Sequence, residues 1–262
     1  MNSPVSKKDE EILKIEEISK WFGGICAVNK VSMAIQAGEK RALIGPNGAG
    51  KTTLFNLIAG TMRTNEGKIF FFEKDVTRKS VRARAALGLG RSYQISNLFL
   101  SLTVEESLFL SIKGNGFPSP LQPWKSDTQK KDKIMRVAQK VGLTENVSIA
   151  VKELSHGQQR QLELGMAIAN NPKVVLLDEP AAGLSALERK NMLDLIKNLE
   201  REVTLLLVEH DMDIVLGVAE KITVMHQGSV IAEGTPEEIQ SDQRVQQVYI
   251  GEVDIDQPVT AS

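Results

Sequence analysis

The chain opens with a polar stretch, residues 1–11, and then begins to alternate. From Leu13 to Trp21 apolar and charged residues interleave, and Val31 to Ile35 repeats the pattern, which predicts two half-exposed strands. Gln36-Ala37-Gly38-Glu39 reads as a hairpin turn, and Arg41-Ala42-Leu43-Ile44 as a buried strand that runs into glycines. Over Lys51–Ala59 the period becomes helical, with Leu54, Leu57 and Ile58 on one face and Gly60 as C-cap. Gly67–Phe72 is again a strand, and its Phe70-Phe71-Phe72 run is expected in the core rather than as a binding platform.

Between about residues 95 and 172 the pattern changes character. Helical spacing occupies Thr103–Ile112, Thr128–Val141 and Gln158–Asn170, and the Gly- and Pro-rich segment from Gly114 to Pro123 is loop chemistry. This predicts a helical subdomain inserted into an α/β core. Beyond it, strands at Val174–Asp178, Val203–Val208 and Ile222–Met225 alternate with helices at Leu187–Glu200 and Met212–Ala219. A turn at Gln227-Gly228 leads to a strand at Val230–Glu233. Such alternation implies a mixed, mainly parallel sheet with helices on both faces. Thr235-Pro236-Glu237-Glu238 carries the N-cap, N1 proline and capping-box glutamate of one more helix. The fold class is therefore α/β, with an antiparallel β region at the N-terminus and a helical insertion. One domain is expected over residues 12–250, its core at about 12–94 and 173–250 and its helical subdomain at about 95–172. Residues 1–11 form a polar tail, and residues 251–262, acidic and short of apolar anchors, are expected to be disordered.

Composition narrows the classes. At 262 residues, 42% hydrophobic and 25% charged, the chain matches an ordinary globular protein of one or two domains. Its 32 basic and 33 acidic residues nearly cancel, which argues against a general nucleic-acid binder. A single cysteine, Cys26, excludes an intrachain disulfide and a cysteine-built zinc cluster. The longest apolar runs fall far short of the ~20 residues that span a bilayer, so work at a membrane requires a partner to hold the chain there.

Gly45-Pro46-Asn47-Gly48-Ala49-Gly50-Lys51-Thr52 satisfies G-x4-G-K-[ST] between a buried strand and an amphipathic helix, the setting of a P-loop NTPase core. Its glycines let successive backbone N–H groups point inward, and the helix dipole adds positive potential. Lys51 is expected to reach the β- and γ-phosphates, and the Thr52 hydroxyl to ligate Mg²⁺; Thr53 follows in the same first turn. Val174–Leu177 then delivers Asp178 and Glu179 at the C-terminal end of a strand, the edge where open α/β sheets bind nucleotides. Asp178 is expected to hold Mg²⁺, and Glu179 to polarise the attacking water as general base. Leu154-Ser155-His156-Gly157-Gln158 lies 24 residues before Asp178. Ser155 reads as a helix N-cap; taken alone the segment favours a plain cap over the second anion site that the free N–H groups beside it would allow.

Together these segments resemble the nucleotide-binding subunit of ATP-binding cassette (ABC) transporters over roughly residues 12–250. Leu154–Gln158 is similar to the family signature Leu-Ser-Gly-Gly-Gln, with His156 in place of the first glycine. The resemblance implies that Phe22, ahead of Gly23-Gly24, stacks on adenine, with Trp21 as the alternative. It implies that Gln94 contacts Mg²⁺ or the water and that His210, after the Val203–Val208 strand, is the switch histidine beside the γ-phosphate. ATP held by one subunit would be completed by Ser155, Gly157 and Gln158 of a second, head-to-tail subunit. Two departures stand out: the side chain of His156, and Ser185, where the family's dimer-contact loop commonly has Asp. His156 and His226 have no metal-ligand spacing with His210, and His226 reads as a surface residue near a turn.

Phe22-Gly23-Gly24, Ser155–Arg160, Glu179–Leu184 and Val208–Met212 further resemble the branched-chain amino acid importers, with the urea and short-chain amide importers as close relatives. That implies permease subunits, a second ATPase subunit, an external solute-binding protein, no nucleic acid, and a peripheral place on the cytoplasmic face of the inner membrane. A non-transport ABC ATPase is the competing class. It is disfavoured because no coiled-coil insertion or second cassette is present. A kinase or GTPase is disfavoured by Leu154–Gln158 and His210.

Overall fold

The computed structural model describes residues 10–92, 98–113 and 128–253. Strands β1 (Glu11–Phe22) and β2 (Ile25–Gln36) pair as an antiparallel hairpin. On the other side of β1 lies β4 (Glu66–Phe71), which carries the two-residue β5 (Lys74–Asp75), giving the order β2-β1-β4-β5. Leu13 and Ile15 face inward, and so does Ile18, which strict alternation would turn outward. The register shifts between Ile15 and Ile18, with Glu17 at φ 46°, and this bulge restores the inward face. On β2, Val28 and Val31 are both buried, with Lys30 at φ 47° between them. Of the Phe70-Phe71-Phe72 run expected in the strand core only Phe71 is buried; Phe70 is half-buried, and Phe72 is half-buried beyond the end of β4, at φ 48°.

The second sheet has the order β10-β9-β3-β8-β7-β6, formed by β3 (Lys40–Ile44), β6 (Leu89–Arg91), β7 (Val174–Asp178), β8 (Thr204–Val208), β9 (Lys221–His226) and β10 (Ser229–Gly234). All its pairs are parallel except the β9–β10 hairpin. Strands β7 and β8 are buried at every residue, the mark of a sheet covered on both faces. The expected hairpin at residues 36–39 is corrected here. Strands β2 and β3, on either side of it, belong to different sheets, so the turn carries the chain from one to the other, pinned where Gly38 N donates to Thr204 Oγ1 at 2.8 Å. Its neighbour Arg41 is buried and donates to Glu39, Thr223 Oγ1, Glu233 and Ala34 O, so one guanidinium ties both sheets together.

Helix α1 (Lys51–Ala59) packs Leu54, Phe55, Leu57 and Ile58 into the apolar layer between the two sheets. Arg84 of α2 (Val81–Ala86) covers its C-terminal end: buried, it donates to the carbonyls of Leu57 and Ile58 and to those of Thr77 and Lys79. Helices α3 (Val104–Lys113), α4 (Thr128–Lys140) and α5 (His156–Ile168) form the helical part. Its Val104, Leu108, Val137 and Leu162 belong to one apolar cluster with Val175, Leu177, Leu205 and Leu207 of the sheet. Helical part and core are thus welded by shared apolar surface. Helices α6 (Ala186–Lys197), α7 (Met212–Val218), α8 (Pro236–Ser241) and α9 (Gln243–Val253) complete the fold. Thr235 caps α8 with Pro at N1 and the Glu238 capping box, as its sequence predicts.

Two boundaries move. Glu11 belongs to β1 and Glu10 O accepts from Ala37 N, so the N-terminal tail ends earlier than residue 11. At the other end α9 runs to Val253, which makes the first three residues of the expected disordered tail, 251–253, helical. Residues 254–262 lie outside the described residues.

Candidate functional site

The G-x4-G-K-T segment forms the turn between β3 and α1. Two of its glycines are required by close approach. A Cβ at Gly45 (φ 147°) would meet Met225 O at 2.1 Å, and one at Gly50 (φ 100°) would meet Ala27 O at 2.3 Å. Gly50 is also the N-cap of α1, with no side-chain cap bond and no acidic residue in the first turn, so the helix start offers its N–H groups to an anion. Lys51 is buried, and its ammonium donates to the carbonyls of Gly45 and Pro46, drawn across the mouth of the loop. Thr52 is exposed and Thr53 half-buried on the same turn.

Parallel pairing of β7 with β8 brings Asp178 beside Val208, and Glu179 N donates to Val208 O at 2.8 Å. Asp178 is 2% exposed, and among the described residues neither carboxylate oxygen has a hydrogen-bond partner. Burial, with the charges of Glu179 and Glu209 adding to it, raises its carboxyl to about 6, against the pull of Arg91 and Lys51. A buried, unpartnered carboxylate is costly, and a cation is the group that relieves it. Lys51 acts on the charge of Asp178, and the hydroxyl of Thr52, the next residue, is the other oxygen donor that a hard divalent ion would use, with water and phosphate oxygens supplying its remaining ligands. Among the described residues no group of three His, Cys, Asp or Glu could hold a metal by itself, so such an ion would depend on the phosphates.

Glu179 adopts φ 48°, a left-handed conformation that costs a non-glycine residue about 1–3 kcal/mol. Its Oε1 lies 3.7 Å from His210 Nδ1, and both side chains reach solvent. The residue between Val208 and His210, Glu209, has no counterpart among the sequence expectations. It is buried, with Ala181 N donating to one oxygen and His210 N and Asp211 N to the other. Burial raises its pKa while those three donors lower it. Ser92 was likewise missed: its Oγ accepts from Asp178 N at 3.2 Å. An acidic residue ahead of a histidine, or a serine after a three-residue strand, has no periodic signal, so only the packing reveals either role.

Ser155 is the N-cap of α5, with Gln158 N donating to its Oγ and the Gln158 side-chain oxygen accepting from Ser155 N. The side chain of Gln158 is therefore engaged in a capping box. Helix α5 begins at His156, two residues before the expected start. A Cβ at Gly157 would meet the carboxylate end of the Glu188 side chain at 2.5 Å, so the start of α5 lies directly against α6. Ser185 caps α6 with the same reciprocal box to Glu188. His156 turns its ring toward the loop after Glu179, with Nε2 3.4 Å from Ala182 O.

A groove at the phosphate loop is bounded by Asn47, Gly48, His226 and Arg244, and a separate hollow holds Ser155, Gly157 and Gln158. The two share no residue. His226 is half-buried at the end of β9, next to the turn, as read. Phe22 sits at the tip of the β1–β2 hairpin, 46% exposed, with Lys20 Nζ 5.3 Å above its ring; Trp21 is half-buried opposite Cys26. Ala27 O of the same hairpin packs against Gly50 of the phosphate loop. Gln94 lies outside the described residues.

A family profile described as "ABC transporter" matches residues 28–182, and one described as "Branched-chain amino acid ATP-binding cassette transporter" matches residues 229–255. The probable branched-chain amino acid transport ATP-binding protein LivG of Archaeoglobus fulgidus is 36% identical over 249 residues, covering 93% of this chain and 97% of its own. The high-affinity branched-chain amino acid transport ATP-binding protein LivG of Escherichia coli K12 is 34% identical over 252 residues, covering 93% and 99%. Among solved structures, a nucleotide-free ATP-binding cassette from an ABC transporter is 34% identical and superposes with a TM-score of 0.82 over 92% of this chain and 99% of that one. The ADP conformation of an ATP-binding cassette of an ABC transporter gives the same figures.

Proposed function

The chain belongs to the ABC transporter family as an ATP-hydrolysing ATP-binding subunit, and on that premise we propose that it powers the uptake of branched-chain or other hydrophobic amino acids through partner permeases. The solute assignment is supported by the 229–255 match and by the names of the relatives. The observation that carries the hydrolytic reading is Glu179 Oε1 standing 3.7 Å from His210 Nδ1, next to the unpartnered carboxylate of Asp178.

In this reading backbone N–H groups of the Gly45–Thr53 turn, to which Pro46 contributes none, cradle the β- and γ-phosphates of ATP, and Lys51 trades the carbonyls of Gly45 and Pro46 for phosphate oxygens. Thr52 and Asp178 would hold Mg²⁺, which would supply neutralisation of phosphate charge, and the resemblance adds Gln94 to that set. Glu179 takes the proton of the attacking water. His210 orients Glu179 and donates to the γ-phosphate. Phe22 stacks on adenine at the hairpin tip. Ser155, Gly157 and the N–H groups of α5, from a second subunit facing head-to-tail, complete the γ-phosphate site. Gln158 acts there through the cap it gives Ser155. Each charge-assisted bond of that kind contributes ~1.5–3 kcal/mol, so closure persists while the γ-phosphate is present.

No helix among the described residues is long and apolar enough to cross a membrane. Attachment to the cytoplasmic face of the inner membrane would then come through the permeases, with an external solute-binding protein delivering the amino acid. An apolar groove where the helical part meets the core, lined by Ala85, Leu89, Leu98, Met166 and Ala167, offers a permease segment a surface to bear on. Affinity purification should recover two permeases, and deletion of the gene should abolish leucine, isoleucine and valine uptake while sparing urea uptake. Loss of urea uptake alone would move the solute to the amide class.

A further inference from the structure

The least expected group near the hydrolytic pair is Glu209, whose side chain is buried at 1% exposure. Burying a carboxylate is unfavourable unless its oxygens are fully engaged, and here they are. Oε1 accepts from Ala181 N at 3.0 Å; Oε2 accepts from His210 N at 3.1 Å and from Asp211 N at 3.3 Å. All three donors are backbone groups of two loops. One loop starts at Glu179 and turns through the Ala182 N–Glu179 O bond at 3.1 Å; the other carries His210 and opens α7. A single carboxylate therefore spans the loops that bear both members of the hydrolytic pair. It holds them from the backbone side, while Glu179 and His210 reach solvent on the other.

We propose that Glu209 is a positioning residue for ATP hydrolysis, clamping the His210 loop to the loop after Glu179 so that the two side chains stay in register. The inference rests on Glu179 and His210 being the hydrolytic pair. Glu209 itself is enclosed and acts through the backbone of the two loops. Both oxygens must be acceptors for the clamp to hold. A glutamine keeps the volume but replaces one acceptor with an NH₂ donor, so in either orientation one of the two loops meets donor against donor. An aspartate keeps both acceptors on a shorter stem.

The test uses the full-length chain. Steady-state ATP turnover, ATP affinity and thermal unfolding are measured for Glu209→Gln, Glu209→Asp, His210→Ala, Glu179→Gln and the double variant Glu209→Gln/His210→Ala. Misplacement of a reacting group by about 1 Å costs on the order of 100-fold, so Glu209→Gln should lose about 10- to 100-fold in kcat with KM and ATP affinity within about twofold. Glu209→Asp should recover part of the loss. In the His210→Ala background Glu209→Gln should cost nothing more, because the group it positions is gone. A wild-type kcat in Glu209→Gln overturns the proposal, as does a loss that multiplies with His210→Ala. So does parallel loss of folding in both Glu209 variants, which would make the carboxylate a core element. Wild-type turnover in His210→Ala and Glu179→Gln would sink the hydrolytic pair and the clamp together. Loss there with an unaffected Glu209→Gln would sink the clamp alone.

Discussion

Asp178 and Glu179 are neighbours in the chain, yet burial separates their chemistry. Asp178 is enclosed, without partners, and its carboxyl is raised to about 6, while Glu179 reaches solvent beside His210. An acid whose folded pKa exceeds its ordinary value of 3.8 is bound more tightly to its proton in the folded state. Stability of the metal-free protein therefore falls as pH rises from about 4 to about 6, by up to roughly 3 kcal/mol, and stays lower above that. Asp178→Asn removes this component. Urea unfolding in EDTA should show the variant gaining on the wild type between pH 4 and pH 8, and a difference that does not change with pH would contradict the burial argument. Glu179→Gln should retain ATP binding and lose about 10²- to 10⁴-fold in phosphate release, the usual contribution of a general base. A variant hydrolysing at the wild-type rate would remove Glu179 from that role. Lys51, Thr52, Asp178 and Glu179 were legible because each follows a strand or precedes a helix at a spacing that the chemistry demands. Glu209 and Ser92 were not, since Ser92 takes its donor from β7 and Glu209 reaches across to the loop that follows β7.

At the scale of elements, most of the long strands and amphipathic helices followed the period of the sequence within a few residues, but β2 begins at Ile25, six residues before the expected Val31. The short pieces did not. Strands β5 and β6 span two and three residues, too few for any alternation, and α2 shows a helix of six residues rich in arginine and alanine. Yet α2 has structural weight through Arg84, which satisfies the terminal carbonyls of α1, the helix whose other end forms the phosphate site. Burial lowers the Arg84 pKa to about 10, a sign of how completely it is desolvated. Arg84→Ala would leave those carbonyls unpaired in the interior. We expect a loss of about 2–4 kcal/mol in urea denaturation, with the change in midpoint and not in slope. A loss below about 0.5 kcal/mol would mean that water replaces the guanidinium.

At the scale of the molecule, the phosphate loop and the Ser155 cap line separate hollows with no residue in common, so one nucleotide bridging both within a chain has no support in this arrangement. The head-to-tail pairing proposed above gives each hollow the part it lacks. Glu179→Gln with ATP and Mg²⁺ should then sediment as a dimer and return to monomer with ADP. Ser155→Phe, placed on the exposed cap, should abolish that dimer without changing ATP binding to the monomer. A persistent dimer in Ser155→Phe would refute the pairing. The apolar cluster shared by α3, α4, α5 and the β7–β8 layer means that a movement of the helical part must be transmitted to the strand ends that carry Asp178 and His210.

The sequence alone determined the α/β class, the helices between β6 and β7, and the glycine-rich turn between β3 and α1 that is proposed to receive phosphate. These are local: a strand, glycines, a lysine and a helix follow one another within twenty residues, and their chemistry requires no distant partner. Tertiary structure decided what distant segments do to one another. Only the pairing of β7 with β8 brings Glu179 to His210, isolates Asp178 and closes Glu209 over two loops. Likewise the turn at residues 36–39 joins two sheets, a choice made by which strands hydrogen-bond to β3. Hydrophobic period records which face of an element is buried, but the neighbour that buries it is set by the packing of the whole chain.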